Sequence, residues 1–192
     1  MSNSHEVLEG NYFYHHQAQN VDLLPDRSRI AKREFLSKNL RYKQNALEIG
    51  FNAGHSALLI LSSNPKVTYF GVDIGEHSYT QEAGRILQNY FGDRFKLIIG
   101  DSQDVLPKLK NERQRYDLIH IDGGHSYQQC FADLRNSTSL LVNPKSTIVL
   151  DDIKGEDIMK AFVDYKKEFQ INAIRFSKSL ENIAFELRAE CF

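Results

Sequence analysis

The stretch at residues 45–56 constrains the fold more than any other part of the sequence. It reads Asn-Ala-Leu-Glu-Ile-Gly-Phe-Asn-Ala-Gly-His-Ser: an apolar run stops at Gly50, an irregular turn extends to Gly54, and apolar residues resume at 57–61. This pattern predicts a strand, a tight loop and a helix. The two glycines supply turn conformations and leave backbone N–H groups open to a ligand near the helix N-terminus. The stretch is therefore typical of a nucleotide-binding β-α unit.

The spacing of the glycines separates two classes of nucleotide ligand. A dinucleotide site would carry G-x-G-x-x-G, with the pyrophosphate at the helix N-terminus, whereas this loop reads Glu48-x-Gly50-x-x-x-Gly54. A carboxylate at the strand end would repel a pyrophosphate and suits a ligand with a cationic portion. A purely structural role, in which the glycines only form a tight connection, is the alternative.

At this loop the sequence resembles the class I S-adenosylmethionine (SAM) dependent methyltransferases, whose first motif has the form E-x-G-x-x-x-G. The resemblance implies a Rossmann-like fold with SAM as the cofactor. It also implies that the loop binds this cofactor. For Phe51, packing in the core is an equal alternative. The loop residues concerned are Glu48, Gly50, Phe51, Asn52 and Gly54.

Strand and helix patterns alternate along the rest of the chain. A helix is expected at residues 27–39, and strands at 45–49, 67–73, 95–99, 116–122, 146–150, 171–176 and 182–187. Such alternation predicts a mostly parallel sheet with helices on both faces. Together with the resemblance, it predicts an α/β, seven-stranded class I methyltransferase sheet of order 3-2-1-4-5-7-6. We expect a single domain, with an N-terminal arm and helix in residues 1–44 and the catalytic core in 45–192.

Acidic residues stand at the ends of five consecutive predicted strands. Ligands of parallel sheets bind beyond these carboxyl ends. Carboxylates gathered there without a cationic ligand or a metal would repel one another, so the pattern predicts one shared site. The five acids are Glu48, Asp73, Asp101, Asp122 and Asp151.

The acids after the second and third strands are placed to bind a nucleoside. Asp73 follows the glycine loop by about 20 residues, the distance at which a carboxylate accepts ribose hydroxyls, and Ile74 adjoins it. The resemblance implies that Asp101 and Ser102 contact the adenine. Capping of a following helix is the alternative role for both aspartates, and for Asp101 the two roles are compatible.

The acids after the fourth and fifth strands predict a metal site. Adjacent strands would bring Asp122 close to Asp151 and Asp152. Three carboxylates form the oxygen-rich site that Mg²⁺ prefers, with Mn²⁺ and Ca²⁺ as competitors. Capping of the helix that begins after Lys154 is the alternative for the adjacent pair.

The stretch Ile-Asp-Gly-Gly-His-Ser-Tyr at residues 121–127, with Asp151-Asp152-Ile153 further on, resembles the macrocin-type and mycinamicin-type sugar O-methyltransferases. The resemblance implies that Asp122, Asp151 and Asp152 hold a divalent cation and that His125 is the general base, with Asp122 also catalytic. That branch commonly has Glu-Asp where this chain has Asp-Asp. It also has a longer N-terminal region than this chain, so its sugar specificity is not carried over.

The chemistry implied by these residues is methylation of an oxygen on a small molecule. A cation would stabilise the alkoxide that forms from a hydroxyl, and His125 would take the proton. Two kinds of alternative stay open. The fold also supports hydroxylases and other transferases, and a non-catalytic SAM-binding module or subunit would use only the cofactor half of the site. His55 and His120 are interpreted as structural.

Composition narrows the partners. A net charge of -1 gives no electrostatic case for nucleic acid, and no apolar run approaches the ~20 residues that span a bilayer. The N-terminus lacks the pattern of a signal peptide, which predicts a cytoplasmic protein; a homo-oligomer stays open. Cys130 and Cys191 are expected to be free thiols. The aromatic and histidine cluster at residues 12–16 is interpreted as a surface arm or packing segment, with a substrate lid as the alternative.

Overall fold

The computed structural model describes residues 6, 8, 12, 13 and 27–189. From residue 27 onwards, helices and strands alternate as the hydrophobic pattern predicts. The strands are β1 (Asn45–Ile49), β2 (Thr68–Asp73), β3 (Phe95–Ile99), β4 (Leu118–Ile121), β5 (Thr147–Leu150), β6 (Ile171–Phe176) and β7 (Ile183–Leu187). The helices are α1 (Arg27–Asn39), α2 (His55–Ser63), α3 (Thr80–Phe91), α4 (Ser102–Asn111), α5 (Tyr127–Thr138) and α6 (Glu156–Glu168).

The strands form one seven-stranded sheet of order β3-β2-β1-β4-β5-β7-β6, which confirms the predicted order. β7 runs antiparallel to the other six strands of this sheet, which are parallel to one another. Ile49 of β1 lies opposite Val72 of β2 and Ile121 of β4. Because these strand ends are level, the loops that follow β1, β2 and β4 meet at one edge of the sheet.

Helices cover both faces of the sheet, as predicted, because side chains of each strand alternate between two apolar clusters. Leu47 and Ile49 of β1 pack with α4, α5 and α6, whereas Ala46 packs with α1, α2 and α3. Glu48 has the parity of Ala46, so its side chain is directed to the face that α1 and α2 cover. This placement decides the role of that carboxylate.

Boundaries differ from the expectation by a few residues. The fourth strand begins at Leu118 rather than at Tyr116, which makes only an isolated bridge to Leu141. Cys130 is a buried free thiol, as predicted, and Cys191 lies outside the described residues, as do the histidines at 15 and 16. In the part of the chain that the structure describes, every helix is too short or too polar to cross a membrane.

Candidate active site

The loop after β1 requires glycine at its first position. Gly50 has a φ of +94°, and a Cβ atom there would lie 2.0 Å from the Asp122 carbonyl oxygen. Its N–H donates a 2.8 Å hydrogen bond to the Val72 carbonyl. The Asp122–Gly123 peptide therefore passes directly over Gly50, and no side chain fits between the two loops.

The second glycine packs against the aromatic residue of its own loop. Gly54 has a φ of +77°, and a Cβ atom there would lie 2.7 Å from the Phe51 ring. Phe51 is only 1% exposed, and its ring centroid lies 5.8 Å from that of Phe95. Phe51 therefore packs in the core, which is one of the two roles left open for it.

The carboxylate of Asp73 organises the loops at the end of β2. Its Oδ2 accepts the N–H of Asn52 at 2.7 Å, and its Oδ1 accepts the N–H of Gly75 at 2.7 Å. Tyr79 in turn donates to Asn52 Oδ1 at 2.8 Å. The N-cap of α3 is Tyr79, so Asp73 is not a helix cap. Each oxygen keeps one lone pair for a ligand.

At the end of β3, the two residues expected at the adenine are linked to helices. Asp101 is the N-cap of α4 and accepts the N–H of Gln103 at 2.8 Å, which confirms its alternative role as a cap. Ser102 donates to Asp133 Oδ1 at 2.6 Å. Asp101 is exposed beside the cavity described next, so capping leaves its position compatible with the adenine role.

Two cavities meet at this edge of the sheet. The first, called here the Asp73 cavity, has a volume of about 530 Å³ and is lined by Asn52, Asp73, Ile74, Asp101, Ser102 and Asp133. The second, called the Lys32 cavity, has a volume of about 920 Å³ and is lined by Lys32 and Arg29 of α1 together with Asp152. Gly50, Asn52, Asp122 and His125 line both. A molecule in one cavity would therefore face a molecule in the other across Asp122 and His125.

Glu48, predicted to contact the cofactor, does not line either cavity. It is fully buried, accepts a hydrogen bond from the Tyr69 hydroxyl and lies 2.7 Å from His120 Nδ1. Glu48 and His120 are register partners on β1 and β4, so both point to the same face of the sheet. The structural role predicted for His120 fits these contacts.

His120 supplies a positive charge inside the sheet. Burial by itself lowers its pKa, but the hydrogen bond and charge of Glu48, together with Asp122 and Asp151, raise the pKa to about 9. The imidazole is therefore protonated at neutral pH and forms a buried ion pair with Glu48. The sequence suggested that Glu48 would face a cationic ligand. In the structure its cationic partner is His120.

The three predicted metal ligands do not form one group. Among the described residues, Asp122 and Asp151 gather with His120, whereas Asp122 and Asp152 gather with His125. Burial and the Asp151 carboxylate raise the pKa of Asp122 well above its ordinary range. Asp122 thus belongs to both groups. The group with His120 and Asp151 is buried, and the group with His125 and Asp152 is open to the cavities.

The buried acid, Asp151, is already surrounded by donors. It is 1% exposed, its Oδ1 lies 2.9 Å from Lys32 Nζ and also accepts the N–H of Asp152, and its Oδ2 accepts a 3.3 Å hydrogen bond from the Tyr12 hydroxyl. The N-cap of α6 is Gly155, so neither Asp151 nor Asp152 caps that helix. Tyr12 is 4% exposed, so this residue of the aromatic cluster packs in the core.

His125 and Asp152 form a pair at the junction of the cavities. His125 Nε2 lies 3.0 Å from Asp152 Oδ2, and this hydrogen bond raises the pKa of His125 and lowers that of Asp152. When Nε2 carries the proton toward the carboxylate, Nδ1 keeps its lone pair. The imidazole is 68% exposed at the side chain, so a substrate can reach it. The pair has the arrangement of a general base oriented by a carboxylate.

Lys32 lines the site and was not predicted from the sequence. It stands in α1 four residues before Leu36 and eight before Leu40, both buried. A lysine on the apolar face of a helix is the signal that could have identified it. Although burial lowers its pKa, the carboxylates of Asp151 and Asp122 raise the pKa above its usual value.

The carboxyl group of Asp133, which lines the Asp73 cavity, should make the stability of the protein depend on pH. Burial raises its pKa from 3.8 to about 6, against the hydrogen bond from Ser102. Because the native state binds the proton more tightly than the unfolded state, stability falls as pH rises from about 4 to 6 and then levels. Asp133→Asn should abolish this component, which amounts to about 2 kcal/mol between pH 4 and pH 7. Urea unfolding of both proteins across this range measures it, and parallel pH curves would contradict it.

Comparison with known proteins places this site in a family. Residues 47–153 match the family described as "Methyltransferase domain", which is more than half of the chain. The matched segment begins in β1 and ends after Asp152, so it contains the glycine loop, Asp73 and His125. The chain therefore belongs to this methyltransferase family.

Individual relatives are distant in sequence. The chain is 23% identical to the O-methyltransferase imqG of Aspergillus flavus over 77% of its own length, and it spans 60% of the length of that relative. The SAH-bound methyltransferase PaMTH1 of Podospora anserina has a TM-score of 0.67 at 16% identity, over 90% of this chain and 83% of that one. The TDP-rhamnose 3'-O-methyltransferase CalS11 of calicheamicin biosynthesis has a TM-score of 0.65 at 15% identity, over 84% and 80%. These structures share the fold.

Proposed function

We propose that the protein transfers the methyl group of SAM to a hydroxyl oxygen of a small molecule. The observation that carries this proposal is the position of Asp122 and His125, which line both the Asp73 cavity and the Lys32 cavity. A cofactor in the first and an acceptor in the second would meet at these two side chains. The relatives imqG and CalS11 are both named as O-methyltransferases, which supports an oxygen acceptor.

The Asp73 cavity suits the adenosyl part of the cofactor. Asp73 is fixed by two backbone N–H groups and has lone pairs left for the two ribose hydroxyls. Asp101 and Ser102 line the same cavity at the predicted adenine position, and Ile74 is 62% exposed there. Asp122 also lines this cavity, where its carboxylate oxygens would interact favourably with the positive sulfonium.

Transfer then needs a base and an in-line approach. The hydroxyl oxygen of the acceptor forms a bond to the methyl carbon as the carbon–sulfur bond breaks, and the sulfonium becomes a neutral thioether. The hydroxyl proton passes to His125 Nδ1 while Nε2 donates to Asp152. Placing the two reactants in adjoining cavities supplies the orientation that an in-line transfer requires.

The group of Asp122, His125 and Asp152 fits a divalent cation by its donor chemistry. Its ligand atoms lie within 4.8 Å of one another, and two of the three residues offer the carboxylate oxygens that Mg²⁺ prefers. We therefore place the proposed cation at Asp122 and Asp152, where it would lower the pKa of a bound hydroxyl. The resemblance of residues 121–127 to the macrocin-type and mycinamicin-type enzymes supports this assignment.

Binding of the product S-adenosylhomocysteine (SAH) tests the cofactor half of the proposal. We expect micromolar binding by titration calorimetry, and Asp73→Ala should weaken it by ~1–3 kcal/mol because charge-assisted hydrogen bonds are lost. Asp93→Ala is the control, since Asp93 is exposed in the turn after α3. Absence of SAH binding to the wild type would contradict the proposal, as would equal affinities of the Asp73 and Asp93 variants.

The acceptor half is tested with SAM that carries a tritiated methyl group. Catechols and vicinal diols are the first acceptors to assay, because two adjacent oxygens can bind one cation. We expect transfer of label to an oxygen in the presence of Mg²⁺. Label recovered on nitrogen or carbon would contradict O-methylation.

A further inference from the structure

The ammonium of Lys32 lies inside the acid cluster at the junction of the cavities. Its Nζ is 2.9 Å from Asp151 Oδ1 and 3.9 Å from Asp152 Oδ1, and it lies 5.7 Å from the centre of the Tyr12 ring. Two carboxylates and an aromatic face therefore contact one cation. The Lys32 side chain is 16% exposed, so this is a built site for a positive charge rather than a surface ion pair.

Helix α1 holds the ammonium at that position. Leu36 of α1 and Leu40, which directly follows the helix, lie at i+4 and i+8 from Lys32, are each 1% exposed and pack in the core. Residues at this spacing share one helix face. The lysine stem consequently packs on the same face as the two leucines, and its head group emerges at the carboxyl ends of β4 and β5.

Charges that face this position come from several elements. The acidic groups are Asp122 after β4, Asp151 and Asp152 after β5, and Glu181 before β7. His120 is paired with Glu48, and His125 with Asp152. A lysine here neutralises one of the carboxylates that a divalent cation would otherwise neutralise. A cation at Asp122 and Asp152 would also be repelled by the nearby ammonium.

We propose that Lys32 is the resident counter-ion of the acid cluster and sets its affinity for divalent cations. A divalent cation binds at Asp122 and Asp152 only when the ammonium withdraws from Asp151 and Asp152. This inference rests on the metal site in the proposed function and adds a competitor to it. The wild-type protein should therefore bind divalent cations weakly, and loss of the ammonium should create a tighter site.

Binding of Mn²⁺ alone, without SAM or acceptor, provides the test. Free Mn²⁺ is measured by electron paramagnetic resonance during titration of the wild type and of Lys32→Met, which keeps an apolar stem of similar length. We expect Lys32→Met to bind Mn²⁺ roughly tenfold or more tightly than the wild type, because a repelling unit charge a few ångströms away is removed. Lys38→Met, an exposed lysine in the last turn of α1, is the control and should leave the affinity unchanged.

Two further variants distinguish a specific effect of the ammonium from a loss of folding. Lys32→Arg keeps the charge and should retain weak binding, and Asp152→Asn in the Lys32→Met background should abolish the tighter site. Removing the ammonium leaves a buried carboxylate uncompensated, so the melting temperature of Lys32→Met should fall and Mn²⁺ should restore it. If Lys32→Met does not fold without metal, folding of the variant on addition of Mn²⁺ gives the same result.

Equal Mn²⁺ affinities of the wild type and Lys32→Met would overturn the inference, whether both are tight or both are undetectable. SAH titration of the same samples separates this failure from that of the proposed function. SAH binding with no effect of Lys32 on Mn²⁺ would leave the methyltransferase proposal intact. Absence of SAH binding to the wild type would instead contradict the proposed function, whatever the result with Mn²⁺.

Discussion

Replacing His125 with alanine should lower the rate of methyl transfer by about 10²- to 10⁴-fold, the usual contribution of a general base. The imidazole lies 3.0 Å from Asp152 and lines both cavities, but it is not among the residues expected to contact the adenosine. SAH affinity should therefore stay close to that of the wild type. Label transfer from tritiated SAM and calorimetric SAH titration measure the two quantities on the same preparation.

The control for this substitution is Gln128→Ala, at an exposed position in the first turn of α5. It changes the same helix terminus without touching the imidazole, and its activity should match the wild type. A His125→Ala variant that keeps full activity would exclude the base assignment. A variant that loses SAH affinity as strongly as activity would show that His125 binds the cofactor instead. A non-catalytic SAM-binding protein would show no transfer in any of the three proteins.

Replacing Gly50 with alanine should destabilise the fold by more than about 4 kcal/mol, a cost that single substitutions rarely reach. Two effects combine. The φ of +94° is strained for an L residue, and the new Cβ would lie 2.0 Å from the Asp122 carbonyl oxygen. That contact is with backbone, so either the glycine loop or the Asp122–Gly123 peptide must move. Because Asp122 lines both cavities, movement should also weaken SAH binding.

Gly92→Ala separates strain from collision. Gly92 also has a positive φ, +55°, but nothing lies within 4 Å of its added Cβ. Its substitution should cost about 1–3 kcal/mol, the usual range for local backbone strain, and should leave SAH binding unchanged. Urea unfolding gives both free energies. Similar losses of stability for the two variants would mean that the Asp122–Gly123 peptide relaxes away from Gly50 at little cost.

The strands and helices could be predicted because the pattern of apolar runs and breaks is strong on every element of the core, and the order of the strands followed from the resemblance to the class I methyltransferases. The limits of β3 and β6 agree with the expectation, and β2 and β7 each begin one residue later. The loop glycines were also predictable from spacing, since a left-handed φ at Gly50 and Gly54 needs this residue type. Residues close together in the sequence determine the limits of these strands and the need for glycine in the loop, so both can be predicted from the sequence.

The role of Glu48 could not be predicted in the same way. A strand-end acid was expected to face a cationic ligand, but the side chain belongs to the face of β1 that α1 and α2 cover. Its partner, His120, is 72 positions away in the sequence and becomes a neighbour only through the pairing of β1 with β4. Strand order and strand parity together identify such a pair, and the motif alone does not.

The acid cluster shows a similar limit. The sequence indicated correctly that carboxylates need compensating charge, and the expectation supplied a metal for all three acids. The structure provides protonated His120 and Lys32 as part of that charge. Lys32 reaches the cluster across 119 positions of sequence, from an N-terminal helix that carries no recognised motif. Its position on the buried helix face was the available signal.

The most direct test of the proposed function is a crystal structure of the protein with SAH. We expect both ribose hydroxyls within about 2.6–3.0 Å of the Asp73 carboxylate, with the adenine beside Asp101 and the sulfur directed toward Asp122 and His125. That orientation would place the departing methyl group at the opening into the Lys32 cavity. SAH bound in the Lys32 cavity, or with its ribose away from Asp73, would contradict the assignment of the two cavities and the role of His125.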